Sequence, residues 1–517
     1  MLDPFEAAAD VFGASADQVK LIFCLLVTYP LGSLFIRIPP TQPGLKHIFN
    51  IVITIIFFFP LLRLQVAFFQ LLASILATFF ITKYVRSKQM PWIVFGVVMG
   101  HLTVNHVIRS MNNFSYETLE VTSPQMVLVM KLTTFAWNVY DGRRTEADID
   151  GDKWQLAKRV VKFPSLLEFL GYSFYFPGML VGPYLDFAGY MDLVNETQFK
   201  DLKIKGKRGR NMPDGRKRVA YRKMVYGLIY LGVFVVFGPN WSFQLTKTDW
   251  FLHQPLYIRI AVHQICGTTE RMKYYALWIL TEGASIVTGN GFSGISPTGQ
   301  TMWEGARNVT PLEVELPSNW KTSLDHWNTK TSIWLRETVY KRITPKGKKP
   351  GFSSSMLTFF TSAFWHGTAG GYYLSFLTGG FITTIGRLAR ANFRPLVLPA
   401  PGKPPTIAKR LYDIVGTFIT VLLLNYTVAP FMLLTTASSM ATWARLWFYG
   451  HAIIAGTLVF FYAGGAKACR RLQKRQALKE GRAKKEDDAS TEVATPAEEK
   501  LLTVPPPLDS IVPPPGQ

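Results

Sequence analysis

The sequence predicts an all-α protein that crosses a membrane about ten or eleven times, and three observations lead to this class. Of the 517 residues, 48% are apolar, 14% are aromatic and only 17% are charged. Apolar runs recur along the chain, several of them close to the roughly 20 residues that a membrane-spanning helix needs. Lysine and arginine are concentrated in a few segments beside these runs, as in loops that remain in the cytosol.

The apolar runs are of two kinds. Clear runs lie near residues 18–38, 46–62, 64–82, 91–108, 165–183, 224–239, 272–288, 411–433 and 446–464. Weaker runs lie near residues 125–140, 250–266, 353–366 and 372–386. We interpret residues 1–466 as one polytopic membrane domain. Residues 467–517, first basic and then acidic and proline-rich, are predicted to form a disordered cytosolic tail.

The charge distribution predicts the orientation. Residues 200–223 hold eleven Lys and Arg against two acidic residues, and residues 467–485 hold nine against one, so these segments carry +17 of the net charge of +22. With the basic segments 341–350 and 387–410, they are predicted to face the cytosol, which places the C-terminus there. Each basic segment adjoins a predicted span. Contact with anionic lipid headgroups is therefore compatible with the pattern, whereas nucleic-acid binding is not expected.

A predicted helical hairpin surrounds His366. Residues 352–366 are compatible with a helix, and the GTAGG sequence at 367–371 interrupts it. At 1.5 Å per residue, His366 would lie roughly 20 Å from the cytosolic end. The predicted turn of hairpin 353–386 is therefore deep in the membrane, where irregular backbone is tolerated only inside protein or beside a polar cavity. We therefore expect a cavity that reaches His366.

The candidate residues His366 and Asn328 each belong to a polar pattern. Ser355, Thr358, Ser362 and His366 are spaced 3, 4 and 4 residues apart and share one helical face. This stripe is typical either of a hydrated tunnel wall or of interhelical packing through Ser and Thr. Asn328 begins the sequence WNTKTSIWLRETVY (327–340), whose helix we expect to be interfacial or buried near the cytosolic side.

Strongly polar groups at membrane depth are costly and usually functional. A neutral His366 would suit a general base for an alcohol. Asn328 would orient the attacking hydroxyl or donate a hydrogen bond to a developing oxyanion. The alternative for a lone membrane histidine is an interhelical hydrogen bond.

Several other site classes are disfavoured. The three cysteines form no CxxC, so neither a structural disulfide nor a cysteine metal site is expected. His101 and His106 form an H-x4-H pair, but the chain has no His-His dipeptide with which to complete a di-iron site. No metal site is predicted. The sequence also lacks GxSxG, HxxxxD and P-loop motifs.

Five ordered motifs resemble the membrane-bound O-acyltransferase family, and within it the lysophospholipid acyltransferase branch. They are KLTTFAWNVYDGR (131–143), LEFLGYSFYFPGMLVGPYLDF (167–187), KYYALWILTEGASIVTGNGFSG (273–294), WNTKTSIWLRETVY (327–340) and SAFWHGTAGGYYLSF (362–376). The resemblance covers roughly residues 100–380. The FYxDWWN motif of the sterol- and diacylglycerol-esterifying branch is absent.

The resemblance implies a bundle of tilted helices around a reaction chamber in the endoplasmic reticulum membrane. Acyl-CoA would enter from the cytosol and the lipid from the side, and an acyl chain would move to the free, mostly sn-2, hydroxyl of a lysophospholipid. The family's catalytic histidine would be His366 and its motif asparagine Asn328, with no bound cofactor. Candidate substrate-binding residues are Trp327, Thr331, Trp334, Arg336, Lys341, Arg342, Ser362 and Trp365. Arg336, Lys341 and Arg342 are the candidates for the CoA phosphates.

Two alternatives remain open from the sequence. The first is another reaction of the same family, the acylation of a protein, a peptide or another alcohol. The second is a lipid transporter or scramblase, which would predict paired helix breaks in two similar halves. The sequence has one marked break, at 367–371, and no detectable halves.

Overall fold

The computed structural model describes residues 4–114, 118–149, 151–200, 202, 212–344, 351–399 and 402–479. These residues are mostly helical and contain one small hairpin, formed by β1 (Gly294–Ile295) and β2 (Thr301–Met302). The predicted all-α class is confirmed. The basic segments are only partly described, because 203–211, 345–350 and 480–485 lie outside these ranges.

The helices of the first half are α1 (Pro4–Phe12), α2 (Ala16–Phe35), α3 (Pro43–Ile56), α4 (Gln65–Tyr84), α5 (Met90–Met111), α6 (Thr122–Gly142), α7 (Glu146–Ile149), α8 (Lys153–Lys158), α9 (Leu166–Ser173), α10 (Phe176–Met179), α11 (Phe187–Asn195) and α12 (Arg216–Phe237). A π-helical turn, Phe57–Leu61, extends α3, and a 3-10 turn, Thr197–Phe199, follows α11.

The helices of the second half are α13 (Asp249–His253), α14 (Leu256–Val287), α15 (Pro311–Glu315), α16 (Trp320–His326), α17 (Thr329–Leu335), α18 (Phe352–His366), α19 (Gly370–Asn392), α20 (Arg394–Val397), α21 (Ile407–Leu433), α22 (Thr436–Arg445), α23 (Tyr449–Phe460) and α24 (Ala466–Lys479). A 3-10 turn, Phe243–Lys247, precedes α13, and π-helical turns extend α17 over Arg336–Tyr340 and α23 over Phe461–Gly465.

Seven helices of the described chain are long and apolar enough to cross a membrane. They span Ala16–Phe35, Pro43–Leu61, Gln65–Tyr84, Met90–Met111, Arg216–Phe237, Ile407–Leu433 and Tyr449–Leu478. Three further helices, α6, α14 and α19, have 21, 32 and 23 residues but are more polar. The described residues therefore contain ten helices of spanning length. The chain is therefore a multi-pass membrane protein.

Helix α6 is central to the bundle. Seventeen of its 21 residues are buried, Gln125, Lys131 and Asp141 among them. Because protein rather than lipid surrounds this helix, it tolerates polar side chains that find partners inside the bundle. The apolar surface needed toward the bilayer is supplied by the outer helices. This explains why the sequence of α6 gives only a weak apolar run.

Three predicted apolar runs differ in the structure. Residues 165–183 do not form one helix, because α9 ends at Ser173 and α10 is a separate turn over Phe176–Met179. The side chains from Gly171 to Leu180 are all buried, so this run is apolar because it lies in the protein core. Conversely, most of the run near 250–266, which begins in α13, and the run near 272–288 belong to one helix, α14.

The predicted hairpin is confirmed: α18 ends at His366, and α19 begins at Gly370. Gly367 has φ of +135°, a conformation that side chains other than glycine rarely adopt. A Cβ at Gly371 would lie 2.1 Å from the carbonyl oxygen of Pro430, so glycine also permits close approach to α21. The glycine-rich turn therefore both ends α18 and docks the hairpin on its neighbour.

Helix α24 occupies the start of the predicted tail. Ala466–Lys479 is helical, and the Gln473 amide donates a hydrogen bond of 2.8 Å to the carbonyl of Asn392 at the end of α19. The first basic residues of the predicted tail therefore pack on the bundle as a helix. Residues 480–517 lie outside the described ranges. A disordered tail and a domain boundary at residue 466 both stay predictions.

Candidate functional site

His366 lies deep in the bundle at the end of α18. This helix has 15 residues, so its last residue lies roughly 21 Å along the axis from its first. The imidazole packs between Phe376, at a ring-centre distance of 5.2 Å, and Phe431, at 4.8 Å. Part of the residue remains accessible, and its ring nitrogens have no hydrogen-bond partner among the described residues. An enclosed imidazole with accessible, unpaired nitrogens is suited to exchange a proton with a bound ligand.

His106 supports the turn that carries His366. Its Nε2 lies 3.2 Å from the carbonyl oxygen of Trp365. Because a carbonyl only accepts, Nε2 must carry the proton and donate. This bond satisfies one of the carbonyls that the end of α18 leaves without a helical partner. A Cβ at Gly367 would lie 3.3 Å from Nδ1 of His106, so the histidine also fits closely against the glycine.

Asn328 adopts a left-handed conformation just before α17. Its φ is +46° and its ψ is +52°, and asparagine is one of the few residues besides glycine that tolerate this region. Its Oδ1 accepts hydrogen bonds from Thr331 Oγ1, at 2.9 Å, and from Asn308 Nδ2, at 3.3 Å. The side chain is therefore held against the first turn of α17.

The orientation of the Asn328 amide follows from a backbone contact. The backbone N–H of Lys330 donates to one side-chain atom of Asn308 at 3.0 Å, so that atom must be Oδ1. Asn308 therefore presents Nδ2 to Asn328, and the Asn328 atom that receives it must be the acceptor Oδ1. The Nδ2 group of Asn328 has no partner among the described residues. Two N–H donors are thus available at this position.

Helix α6 holds Asn328 and His366 at similar depth. The hydroxyl of Thr331 lies 3.4 Å from the sulfur of Met130, and Trp365 Nε1 donates to the carbonyl of Met126 at 3.0 Å. Those two positions on α6 are four residues apart, or roughly 6 Å. The start of α17 is therefore buried in protein level with His366, as one of the two readings of the sequence expects, and its position relative to the cytosolic side stays a prediction.

Two tryptophans join the helices that carry the candidate pair. Trp334 and Trp365 pack with ring centres 5.5 Å apart, and both are buried. Trp334 also donates to Thr133 on α6 at 2.8 Å. The two predicted substrate-binding tryptophans thus form the contact between α17 and α18.

The remaining aromatic and hydroxyl candidates lie on both sides of this contact. Trp327 packs against Trp278 of α14 at 4.9 Å. Ser362 is buried one turn before His366. Farther along the predicted stripe, the Ser355 hydroxyl donates back to the Gly351 carbonyl and accepts from Arg387 of α19. The start of the stripe therefore packs between helices, as one of the two readings of the sequence expects.

The three predicted phosphate-binding cations all have carboxylate partners. Arg342 pairs with Asp141, at 2.5 Å, and both side chains are buried. Lys341 lies 2.8 Å from Asp152 and from Glu337, and Arg336 lies 2.8 Å from Glu337. Burial by itself would raise the pKa of Asp152, but the hydrogen bond and charge of Lys341, together with two backbone N–H groups, hold that pKa below its usual value. A phosphate would have to share or displace these carboxylates.

Metal-ligating side chains do not cluster in the part of the chain that the structure describes. No group of three or more His, Cys, Asp or Glu residues lies close enough to hold an ion. Cys24, Cys266 and Cys469 are free thiols, and all three are buried.

Sequence reasoning missed two residues of this site. In the sequence, His106 is one half of an H-x4-H pair, and Asn308 belongs only to an N-x-T sequon. Their roles depend on contacts with residues 259 and 20 positions away in the sequence. The only available signals were a polar residue inside an apolar run for His106 and an asparagine ahead of the Asn328 motif for Asn308.

A polytopic helical protein with a deep imidazole and an available amide is suited to acyl transfer inside a membrane, and comparison with known proteins specifies the family. The model of the membrane-bound O-acyltransferase family matches residues 107–429. The chain belongs to the membrane-bound O-acyltransferase family. The enzyme class expected from the motifs is confirmed, and the transporter alternative is not supported.

Similar proteins cover most of the chain. A "Lysophospholipid acyltransferase" from Schizosaccharomyces pombe is 35% identical over 89% of this chain and 89% of its own length. A protein of the same name from Saccharomyces cerevisiae is 37% identical over 88% of this chain and 76% of its own length. The human "Membrane-bound glycerophospholipid O-acyltransferase 1" is 28% identical over 87% of this chain and 90% of its own length.

Proposed function

We propose that this enzyme is a lysophospholipid acyltransferase that moves an acyl chain from acyl-CoA to the free, mostly sn-2, hydroxyl of a lysophospholipid. The observation that supports this proposal is the geometry of His366 and Asn328. An accessible His366 imidazole and the free Nδ2 of Asn328 are held at similar depth by one helix, α6. The names of the similar fungal and human proteins support the choice of a lysophospholipid as the acceptor.

The proposed reaction needs one base and one oxyanion donor. An unprotonated nitrogen of His366 takes the proton of the lysophospholipid hydroxyl, whose oxygen attacks the thioester carbonyl. Negative charge develops on that carbonyl oxygen, where the Nδ2 group of Asn328 donates a hydrogen bond. The C–S bond then breaks, and the CoA thiolate takes up the proton from the imidazolium. The occupied Oδ1 of Asn328 favours this oxyanion role over acceptance of the substrate hydroxyl.

The setting of the reaction is part of the proposal. Acyl-CoA enters from the cytosol and the lipid from the membrane, and the enzyme resides in the endoplasmic reticulum membrane with its C-terminus in the cytosol. The excess of Lys and Arg in 200–223 and 467–485 supports this orientation. Membrane lipid is the surrounding partner. Trp327, Thr331, Trp334, Ser362 and Trp365 are proposed to shape the chamber around the pair.

The substrate assignment can be tested with purified full-length protein. Labelled oleoyl-CoA is supplied with lysophosphatidylcholine, lysophosphatidylserine, lysophosphatidylethanolamine or lysophosphatidic acid, and the products are separated by chromatography. We expect labelled diacyl phospholipid from at least one acceptor, with the label at the sn-2 position. If none is labelled while a peptide or another alcohol accepts the acyl chain, the lysophospholipid assignment is wrong.

His106 is expected to act as a positioning residue for His366. In His106→Ala the Trp365 carbonyl loses its donor, and the end of α18 becomes free to shift. Because a displacement of about 1 Å can cost on the order of 100-fold in rate, we expect kcat to fall by about 10- to 100-fold with KM nearly unchanged. His106→Gln should recover much of the loss, since its amide can donate to the same carbonyl. Steady-state kinetics of both variants measure this effect.

His101→Ala is the matched control for the His106 variants. His101 lies on the same helix and is hydrogen-bonded to Ser74 at 2.7 Å, outside the candidate site. Its kcat should remain near that of the wild type. Equal loss in His106→Ala and His106→Gln, or a change confined to KM, would contradict the positioning role.

A further inference from the structure

Lys330 is a half-buried lysine that makes no ion pair among the described residues. Part of its surface remains accessible, and Gly305, which its ammonium group contacts, is exposed. Its ammonium group donates to the carbonyl oxygen of Gly305 at 2.5 Å. Among the described residues, no carboxylate lies within ion-pair distance of it. A partly desolvated cation without a counter-charge is costly, so such a group often marks a site for an anion.

Two carboxylates lie within electrostatic range of Lys330, and each already has another lysine as its partner. Asp186 lies 3.0 Å from Lys158, and Glu282 lies 3.0 Å from Lys223. Both carboxylates lie within electrostatic range of Lys330 but do not contact it. Each of these two carboxylates is thus paired with another lysine, and Lys330 makes no ion pair with either. Arg336, Lys341 and Arg342 are paired as well.

Lys330 is also close to the candidate pair. It lies two residues after Asn328, and its backbone N–H donates to the same Asn308 side chain that donates to Asn328. An anion bound by Lys330 would therefore lie beside the acceptor and donor groups rather than at a remote surface. In a lysophospholipid, only a few covalent bonds separate the sn-2 hydroxyl from the phosphate. In CoA, the longer pantetheine arm separates the thioester from the phosphates.

We propose that Lys330 binds a phosphate group of one of the two substrates, with Gly305 and Asn308 holding the lysine in place. This inference rests on the proposed function for the identity of the ligand. The recognised chemistry is a phosphate oxygen that accepts a charge-assisted hydrogen bond from the ammonium group. The phosphate of the lysophospholipid and the phosphates of CoA are its two sources.

The test uses equilibrium binding, so it does not require turnover. CoA alone and lysophosphatidic acid alone are each titrated into the purified full-length protein and into Lys330→Gln and Lys330→Arg. Loss of one charge-assisted hydrogen bond is expected to weaken binding of the recognised probe by about 10-fold or more. Lys330→Arg should restore much of the affinity. Weakened CoA binding assigns the CoA phosphates, and weakened lysophosphatidic acid binding assigns the lipid phosphate.

Lys321→Gln is the matched control, because Lys321 is likewise half-buried but already pairs with Asp325 on α16. It should bind both probes like the wild type, and thermal stability should be similar in all variants. If Lys330→Gln binds both probes as tightly as the wild type, or loses both equally, the phosphate site is wrong. The labelled-product assay separately decides the proposed function, so either proposal can fail without the other.

Discussion

Replacing His366 is expected to abolish nearly all turnover while the protein still folds and inserts into the membrane. In His366→Ala no group at this position can take the proton of the acceptor hydroxyl, and general-base catalysis is commonly worth about 10²–10⁴ in rate. His366→Phe should lose as much activity but keep ring packing against Phe376 and Phe431. Initial rates of labelled phospholipid formation, with size-exclusion profiles and thermal unfolding in detergent, measure both effects.

The pair of His366 variants separates chemistry from packing. Loss of aromatic contacts in the alanine variant is expected to lower stability, since each ring pair contributes roughly 0.5–1.5 kcal/mol. The phenylalanine variant should be close to the wild type in stability. His101→Phe, outside the site, should keep its activity. Turnover within a few-fold of wild type in either His366 variant would show that another group removes the proton.

Replacing Asn328 is expected to lower kcat by about 10²–10³, which is typical for removal of one oxyanion donor. The informative substitution is Asn328→Gly. Glycine adopts the φ of +46° without strain, so this variant removes the amide and keeps the backbone. Asn328→Ala should lose the same activity and also about 1–2 kcal/mol of stability, because alanine lacks the local hydrogen bonds with which asparagine offsets the cost of left-handed backbone. Kinetics at saturating substrates and thermal unfolding distinguish the two losses.

Asn113 offers a control for the backbone effect. It has φ of +51° and lies at the end of α5, away from the candidate pair. Asn113→Ala should lower stability without lowering kcat. If Asn328→Gly turns over like the wild type and only Asn328→Ala is impaired, Asn328 serves the backbone conformation and not the oxyanion.

The hairpin at His366 was predictable because its signals are local. Glycines 367, 370 and 371 mark the turn, and the apolar runs on both sides fix the direction of the chain. The depth of Asn328 was not predictable. The polar sequence before Trp327 is compatible with an interface or with burial in protein, and the structure places α17 inside the bundle, against α6, where protein replaces lipid.

The charge partners were likewise beyond the sequence. Arg342 and Asp141 are 201 positions apart, and nothing local distinguishes a lysine or arginine paired with a carboxylate from one available to a phosphate. The failure of residues 165–183 as a span has the same origin, because apolar composition reports burial but not what surrounds the buried chain. Local breaks and apolar runs therefore predicted the class, and long-range pairing decided the details of the site.

The attachment of α17 and α18 to one inner helix has a consequence for the enzyme in membranes of different thickness. Helices at the lipid boundary adjust to a thinner or thicker bilayer by tilting. Met126, Met130 and Thr133 lie on a helix that is almost wholly surrounded by other helices. When the outer helices tilt, we expect α17 and α18, which contact α6 at these three positions, to move together as one body. We therefore expect the distance between the His366 imidazole and the Asn328 amide to change little with the lipid composition of the membrane.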